Sequence, residues 1–179
     1  MSLFSRSRLR YQRTMRRSIQ QSCFDCGMRP DRLFADLPAN TREALDSLKT
    51  VSPCRQGSIL FREGEAARGI FVLCEGRASV SVCSESGRRL ALRVAGPGEV
   101  LGLSACLSSG SYEVTAETLD DAPVASIRRE DLLRFLCHHH EACLQVAHLL
   151  SQDLHIAYHR LRSIGWGRLR RPRVRPVGG

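Results

Sequence analysis

Between Val51 and Arg128 glycine cuts the chain into short apolar or alternating runs, and this spacing restricts the possible folds more than any other feature. The runs are ILF, IFVLCEG, ASVSV, LALRV, YEVTAET and APVASI. Each has strand length and strand composition. Gly57, Gly64, Gly69, Gly76, Gly87, Gly96 and Gly98 punctuate them at hairpin-like intervals, where reversing strands need positive φ. Val80 and Val82 alternate with Ser79 and Ser81, and Leu90, Leu92 and Val94 alternate with Ala91 and Arg93. A period of two gives each sheet one dry and one wetter face. The pattern predicts a closed or double-layered antiparallel structure, a β-roll of the jelly-roll type.

Beyond Arg129 the period becomes helical. REDLLRFL reads as a short amphipathic helix, and a longer one runs from about Glu141 to Ile164. Along the longer helix Cys143, Ala147, Leu150, Leu154, Ala157, Leu161 and Ile164 step alternately by four and three. That is a heptad seam suited to a two-helix coiled coil, and it predicts a homodimer. The competing reading packs the seam against the chain's own roll. Upstream, Pro38-Ala39-Asn40 precedes TREALDSL, where Thr41 or Asn40 can cap a short helix that buries Leu45 and Leu48. The fold class is therefore mainly β with α: an antiparallel β-roll, a short leading helix and a long C-terminal dimerisation helix.

Charge divides the chain further. Residues 1–32 hold eight Arg against two Asp, a net +6, and residues 160–179 hold seven Arg and no acid, a net +7. The intervening 33–159 carry sixteen acidic and twelve basic residues, a net −4, so the basic character belongs to the two ends. Segment 1–32 reads as a disordered basic arm, 33–140 as the roll, 141–165 as the dimerisation helix and 166–179 as an Arg/Pro-rich tail. Such tails can hold phosphate backbones without reading sequence, which makes salt-dependent, non-specific nucleic-acid binding an alternative function. No run of eighteen apolar residues occurs, and arginines stand where a secretory signal needs an apolar core. The expectation is a cytoplasmic protein without a membrane partner. Eight cysteines scattered through apolar stretches are expected to be reduced. Cys74 and Cys83 in strand-like runs, and Cys137 and Cys143 in helical ones, read as small core hydrophobes.

The order of leading helix, roll, short helix and heptad helix resembles the effector domain of the Crp/Fnr family of transcription regulators over residues 33–165. Two segments carry the resemblance: GSILFREGEAARGIFVLCEGRASVSV (57–82) and GPGEVLGLSACLSSGSYEVTAET (96–118). It implies a cyclic-nucleotide-binding-type roll that senses a small effector, without catalysis, in a pocket formed by Gly98, Glu99, Gly102, Leu103, Ser104, Ser111 and Tyr112. In relatives that bind cyclic nucleotides, the second segment forms a phosphate cassette. There a Gly-Glu pair turns the chain, a short helix presents backbone N–H groups, and an arginine neutralises the phosphate. Gly98 and Glu99 match the pair, and residues 102–107 the short helix. The arginine has no match, because no Lys or Arg occurs between Glu99 and Thr118. A desolvated phosphate diester needs a paired cation, so tight binding of cyclic AMP or cyclic GMP is not expected and the effector stays unidentified. Ala157 and Tyr158 hold the helix positions that would greet a purine. Tyr112 and Leu103 are expected to offer surface to a neutral or apolar effector, and Glu113, if inward, to oppose a phosphate.

The Fnr branch senses oxygen through an iron–sulfur cluster, and Cys23 and Cys26 form a C-x-x-C pair here. Four ligands are needed, yet the next cysteine is Cys54, and Ala125 holds the position that best matches the central ligand. This argues against a cluster and leaves a zinc or redox pair at Cys23 and Cys26 as the alternative. His138, His139 and His140 cannot share a helix face and read as an exposed inter-helix loop. His155 and His159, at i and i+4, lack a third ligand and read as surface residues.

Full-length members of the family continue into a winged helix-turn-helix, whereas Gly165 is followed here by WGRLRRPRVRPVGG, in which no recognition helix can be read. The sequence reading is a regulator truncated before its DNA-binding domain, touching DNA only through that missing domain or non-specifically through its tails. An alternative is an interaction protein that forms heterodimers with an intact paralogue. No P-loop, G-x-S-x-G or H-E-x-x-H motif is present, and no enzyme is predicted.

Overall fold

The structure, a computed structural model, describes residues 37–84, 86–108 and 110–165. A helix, α1 (Ala39–Leu48), leads into eight strands. These are β1 (Thr50–Cys54), β2 (Ile59–Phe61), β3 (Gly69–Leu73), β4 (Ala78–Cys83), β5 (Arg89–Ala95), β6 (Val100–Leu101), β7 (Thr115–Thr118) and β8 (Ala122–Arg128). Helix α2 (Leu103–Ser108) lies between β6 and β7, and α3 (Arg129–His138) and α4 (His140–Gly165) follow β8. The strands form two four-stranded antiparallel sheets, ordered β1-β8-β3-β6 and β2-β7-β4-β5. The expected double-layered roll with helices is present.

The strand runs seen in the sequence coincide with β2, β3, β4, β5, β7 and β8. β1 carries Pro53, which cannot donate to a ladder, and the fold accommodates it by placing β1 at a sheet edge. β3 is buried along almost its whole length, as a strand covered on both faces must be. One face meets the opposite sheet and the other is covered by α3. Ile70 and Leu73, on opposite faces of β3, are fully buried, as are Ile127 and Leu132. Burying four such side chains contributes on the order of 6–12 kcal/mol before the entropy of ordering is subtracted.

Several local expectations are corrected. Positive φ occurs at Gly57, Gly64, Gly76, Gly87, Gly98 and Gly102, and not at Gly69 or Gly96. Gly69 is needed for space, since a Cβ there would lie 2.5 Å from the Ile127 carbonyl oxygen. Helix α1 starts at Ala39 with Pro38 as its N-cap, and Thr41 is a fully buried core residue. Its hydroxyl donates to Glu141 Oε1 at 2.6 Å, which fastens α1 to the first turn of α4. The histidine triplet is not a loop: His138 ends α3, His140 begins α4, and His139 alone connects them. The His139 ring packs against Phe135, with centroids 4.5 Å apart. Of the four cysteines placed in the core by the sequence, Cys74 is buried, while Cys83, Cys137 and Cys143 are exposed.

Strand β5 departs most from its pattern. Val80 pairs with Arg93, but the register then shifts, so that Ser81 faces Ala91 and Val82 faces Leu90. This bulge inserts one residue into β5 and splits the alternation of Leu90, Leu92 and Val94, all three of which are exposed. Arg93 lies opposite the buried Val80, on the inner face of the sheet.

Candidate functional site

The segment from Gly96 to Thr118 runs through the turn before β6, β6 itself, α2 and β7. Gly98 N–H donates to the Leu73 carbonyl at 2.7 Å, and Glu99 lies in the turn that feeds β6. The Glu99 carboxylate accepts from Gly96 N–H at 2.8 Å and forms an ion pair with Arg93. Gly98 and Glu99 therefore turn the chain into a strand, and β6 separates them from the short helix. Gly102 makes the second turn, at φ +80°, directly before α2. A Cβ on Gly102 would sit 2.7 Å from Cε1 of Tyr112, so the tyrosine ring leaves room only for glycine.

Helix α2 forms where residues 102–107 were expected to be helical, displaced by one residue. Its first turn is already engaged by an anion from the chain: Ser104 Oγ donates to Glu113 Oε1 at 3.0 Å. Its far end is held by Arg129, whose Nε donates to the Cys106 carbonyl at 2.8 Å. The carboxylate sits by the free N–H end and the guanidinium by the free C=O end, each the sign that the helix end favours. Arg129 thus serves the opposite end of α2 from the one where a phosphate would dock. Burial pushes the Cys106 thiol up to about 11.

Leu103 and Tyr112, expected to offer surface to an effector, are both core residues, 4% exposed. The Tyr112 ring stacks on Phe61 with centroids 4.0 Å apart, and its hydroxyl donates to the Gly69 carbonyl at 2.6 Å and accepts from Gly69 N–H at 3.2 Å. The remaining members of the expected pocket, Gly98, Glu99, Gly102, Ser104 and Ser111, are half-buried or exposed. Ser111 pairs with Ala66 through an isolated bridge. Arg93 was assigned to a wetter face by alternation, and its pairing with Val80, in step with the buried Ala95, places it instead on the inner face beside Glu99.

Helix α4 runs 26 residues, about 39 Å. Ala142 and Val146 are buried, and Leu149 and Leu150 pack on the core at half burial. From Ser151 to His159 every residue is exposed, including Leu154 at 54%, Ile156 at 50% and Tyr158 at 57%. Of the heptad seam, Cys143, Ala147, Leu154 and Ala157 are exposed and Leu150 is half-buried. The side chains of Leu161 and Ile164 lie outside the described residues, as do Cys23, Cys26 and both basic ends. His155 and His159 stand on the exposed stretch with ring centroids 5.5 Å apart. Among the described residues no cluster of three metal-ligating side chains occurs, and no helix is long and apolar enough to cross a membrane.

Comparison with known proteins agrees with this architecture. Residues 52–139 match the family model of the cyclic nucleotide-binding domain. The transcriptional activator protein Anr of Pseudomonas protegens is 28% identical over 144 residues, covering 80% of this chain and 56% of Anr. The cyclic AMP receptor protein of Thermus thermophilus is 26% identical over 106 residues, covering 56% of this chain and 49% of the receptor. The chain spans about half the length of the curated relatives it matches. Among solved structures, the catabolite activator protein of Thermus thermophilus superposes with a TM-score of 0.67 at 24% identity, covering 74% of this chain and 62% of that one. The sensor domain of the regulator DNR from Pseudomonas aeruginosa gives 0.61 at 19% identity, covering 83% of this chain and 94% of that domain. The roll at residues 52–139 is thus a cyclic nucleotide-binding domain, and the chain is a homologue of the Crp/Fnr family of transcription regulators.

Proposed function

We propose that this chain supplies the effector-sensing and dimerisation functions of a Crp/Fnr-type transcription regulator, and that it is not catalytic. The observation that carries the dimer is α4. Its docking face, Ala142, Val146 and Leu149, ends at Leu150, while an adjacent face with Cys143, Ala147, Leu154 and Ala157 is exposed. An amphipathic helix gains most of its stability by burying an apolar face, and a second copy of the same helix is the surface with matching period. The effector pocket comprises Gly98, Glu99, Gly102, Ser104 and Ser111 at the mouth of the roll, over a floor that includes Leu103 and Tyr112.

The effector of this pocket is not a tightly bound cyclic nucleotide, although one relative is named for cyclic AMP. Glu113 at the first turn of α2 would repel a phosphate, and Arg93, the cation on the inner face of β5, is committed to Glu99. Sedimentation equilibrium at tens of micromolar tests the dimer. The wild type should fit a dimer, and Leu154→Asp a monomer, because an unpaired carboxylate in an apolar seam is strongly disfavoured. A wild type that stays strictly monomeric would overturn the dimer reading.

A further inference from the structure

We infer that His155 and His159 form an open two-imidazole chelate for a divalent transition-metal ion of the zinc, nickel and copper class, and that the bound ion clips together the outer half of α4. The site depends neither on the dimer nor on the effector pocket.

Placement on the helix leads to it. The two histidines are four positions apart, so they share one face and stand one turn from each other. Their ring centroids are 5.5 Å apart and the ring planes are tilted by 53°, so the imidazoles do not stack flat on one another. With metal–nitrogen bonds of about 2.1 Å and an angle of about 90–110° at the ion, the centroids of two chelating imidazoles lie about 4.6–5.3 Å apart. A small rotation of two exposed side chains therefore brings both rings to one ion. Imidazole nitrogen suits zinc, nickel and copper, and on an exposed stretch water completes the coordination that further protein ligands would otherwise supply.

At about 100° per residue, the pair points about 140° away from the seam of Cys143, Ala147, Leu150, Leu154 and Ala157, and about 130° away from the docking face of Ala142, Val146 and Leu149. The site stays open whether or not a second helix covers the seam. His148 and Gln152 lie on the same stripe, nearer the core, but there Gln152 Nε2 donates to His148 Nε2 at 2.9 Å and engages the imidazole. Arg162, three residues beyond His159, is an exposed cation on this stripe, and solvent and salt screen its repulsion of a metal ion. Every residue from Ser151 to His159 is exposed, so the core lends this part of α4 little support. A chelate that forms only when positions i and i+4 are helical converts metal binding into helix stability where packing supplies least.

Hydrogen exchange of the full chain with and without nickel(II), read by mass spectrometry over the α4 amides of residues 151–159, tests the chelate. With nickel at about ten times its dissociation constant, exchange there should slow about tenfold, since only the helical form binds the ion. His155→Ala and His159→Ala should each abolish the slowing, because one imidazole cannot chelate, whereas His148→Ala should keep it. Alanine is a better helix former than histidine, so each variant retains the helix and is compared with itself in the presence and absence of nickel. The readout is confined to α4, so nickel held by cysteines elsewhere does not mimic the result. Exchange over residues 151–159 that millimolar nickel leaves unchanged, or a slowing that survives His155→Ala, would overturn the site.

Discussion

Replacing Tyr112 by Phe removes one oxygen from the interior and tests whether the tyrosine is part of the frame or part of a pocket wall. That oxygen donates to the Gly69 carbonyl at 2.6 Å and accepts from Gly69 N–H at 3.2 Å, at a position where both residues are buried. The ring would keep its stacking on Phe61, so the loss is confined to hydrogen bonding. Leaving the Gly69 carbonyl and N–H each without this partner costs about 1–3 kcal/mol, for a total of about 2–6 kcal/mol. With a urea dependence of about 2 kcal/mol per molar, the unfolding midpoint should fall by roughly 1–3 M. Gly69→Ala should destabilise at least as much, since its Cβ would press on the Ile127 carbonyl 2.5 Å away. The pH dependence gives an independent check. Burial raises the Tyr112 phenol above its ordinary value, although the hydrogen bond to Gly69 opposes the shift. Its contribution to stability is intact below the ordinary tyrosine pKa and is lost as pH climbs through the raised one. The Phe variant should lack this alkaline loss. A midpoint within about 0.2 M of wild type, near 0.5 kcal/mol, would refute the clamp between Tyr112 and Gly69.

The remaining predictions concern α1 and the thiols. The Thr41 hydroxyl holds Glu141 below the usual glutamate range, so this contact stabilises the fold above the ordinary glutamate pKa and is lost as pH falls through the lowered one. Thr41→Val should loosen α1 at neutral pH and remove that portion of the acid dependence, read as faster proteolysis or amide exchange within Ala39–Leu48; unchanged protection would contradict the fastening role. Cys106, buried and with its thiol raised to about 11, should resist alkylation in the native protein at mildly alkaline pH, whereas the exposed Cys83, Cys137 and Cys143 react. Peptide mapping that finds Cys106 modified at their rate would show that α2 opens.

Much of the fold was legible because its signals are local. Glycine spacing and strand composition located six strands, and the change of period located α3 and α4. β6 is two residues long and β1 contains Pro53, so neither presents a strand pattern of its own. The site was less legible. Its residues lie in one segment, but whether each points into the core or the cleft depends on long-range pairing. Tyr112 looks like a surface aromatic until Gly69, 43 positions away, is seen to take both of its hydrogen bonds. Arg93 looks outward if Leu90, Leu92 and Val94 are taken as one dry face, but one inserted residue between Ala91 and Arg93 breaks that face, and Arg93 shares its side with the buried Ala95. A bulge leaves no local signature in this strand, because LALRV alternates well on either register. The division of α4 into a docked half and an exposed half was likewise hidden, since the heptad stepping runs unbroken across Leu150.

The central claim is that a cyclic nucleotide-binding fold here serves an effector other than a cyclic nucleotide, because the chain's own Glu113 occupies the first turn of α2 and Glu99 occupies Arg93. Titration calorimetry of the purified chain with cyclic AMP and cyclic GMP tests this most directly. The electrostatics predict no binding with a Kd below about 1 µM for either nucleotide, a free energy of about −8 kcal/mol that a phosphate without a free arginine does not reach. Sub-micromolar binding of either one, abolished by Arg93→Gln, would contradict the claim by showing that Arg93 leaves Glu99 to neutralise the phosphate.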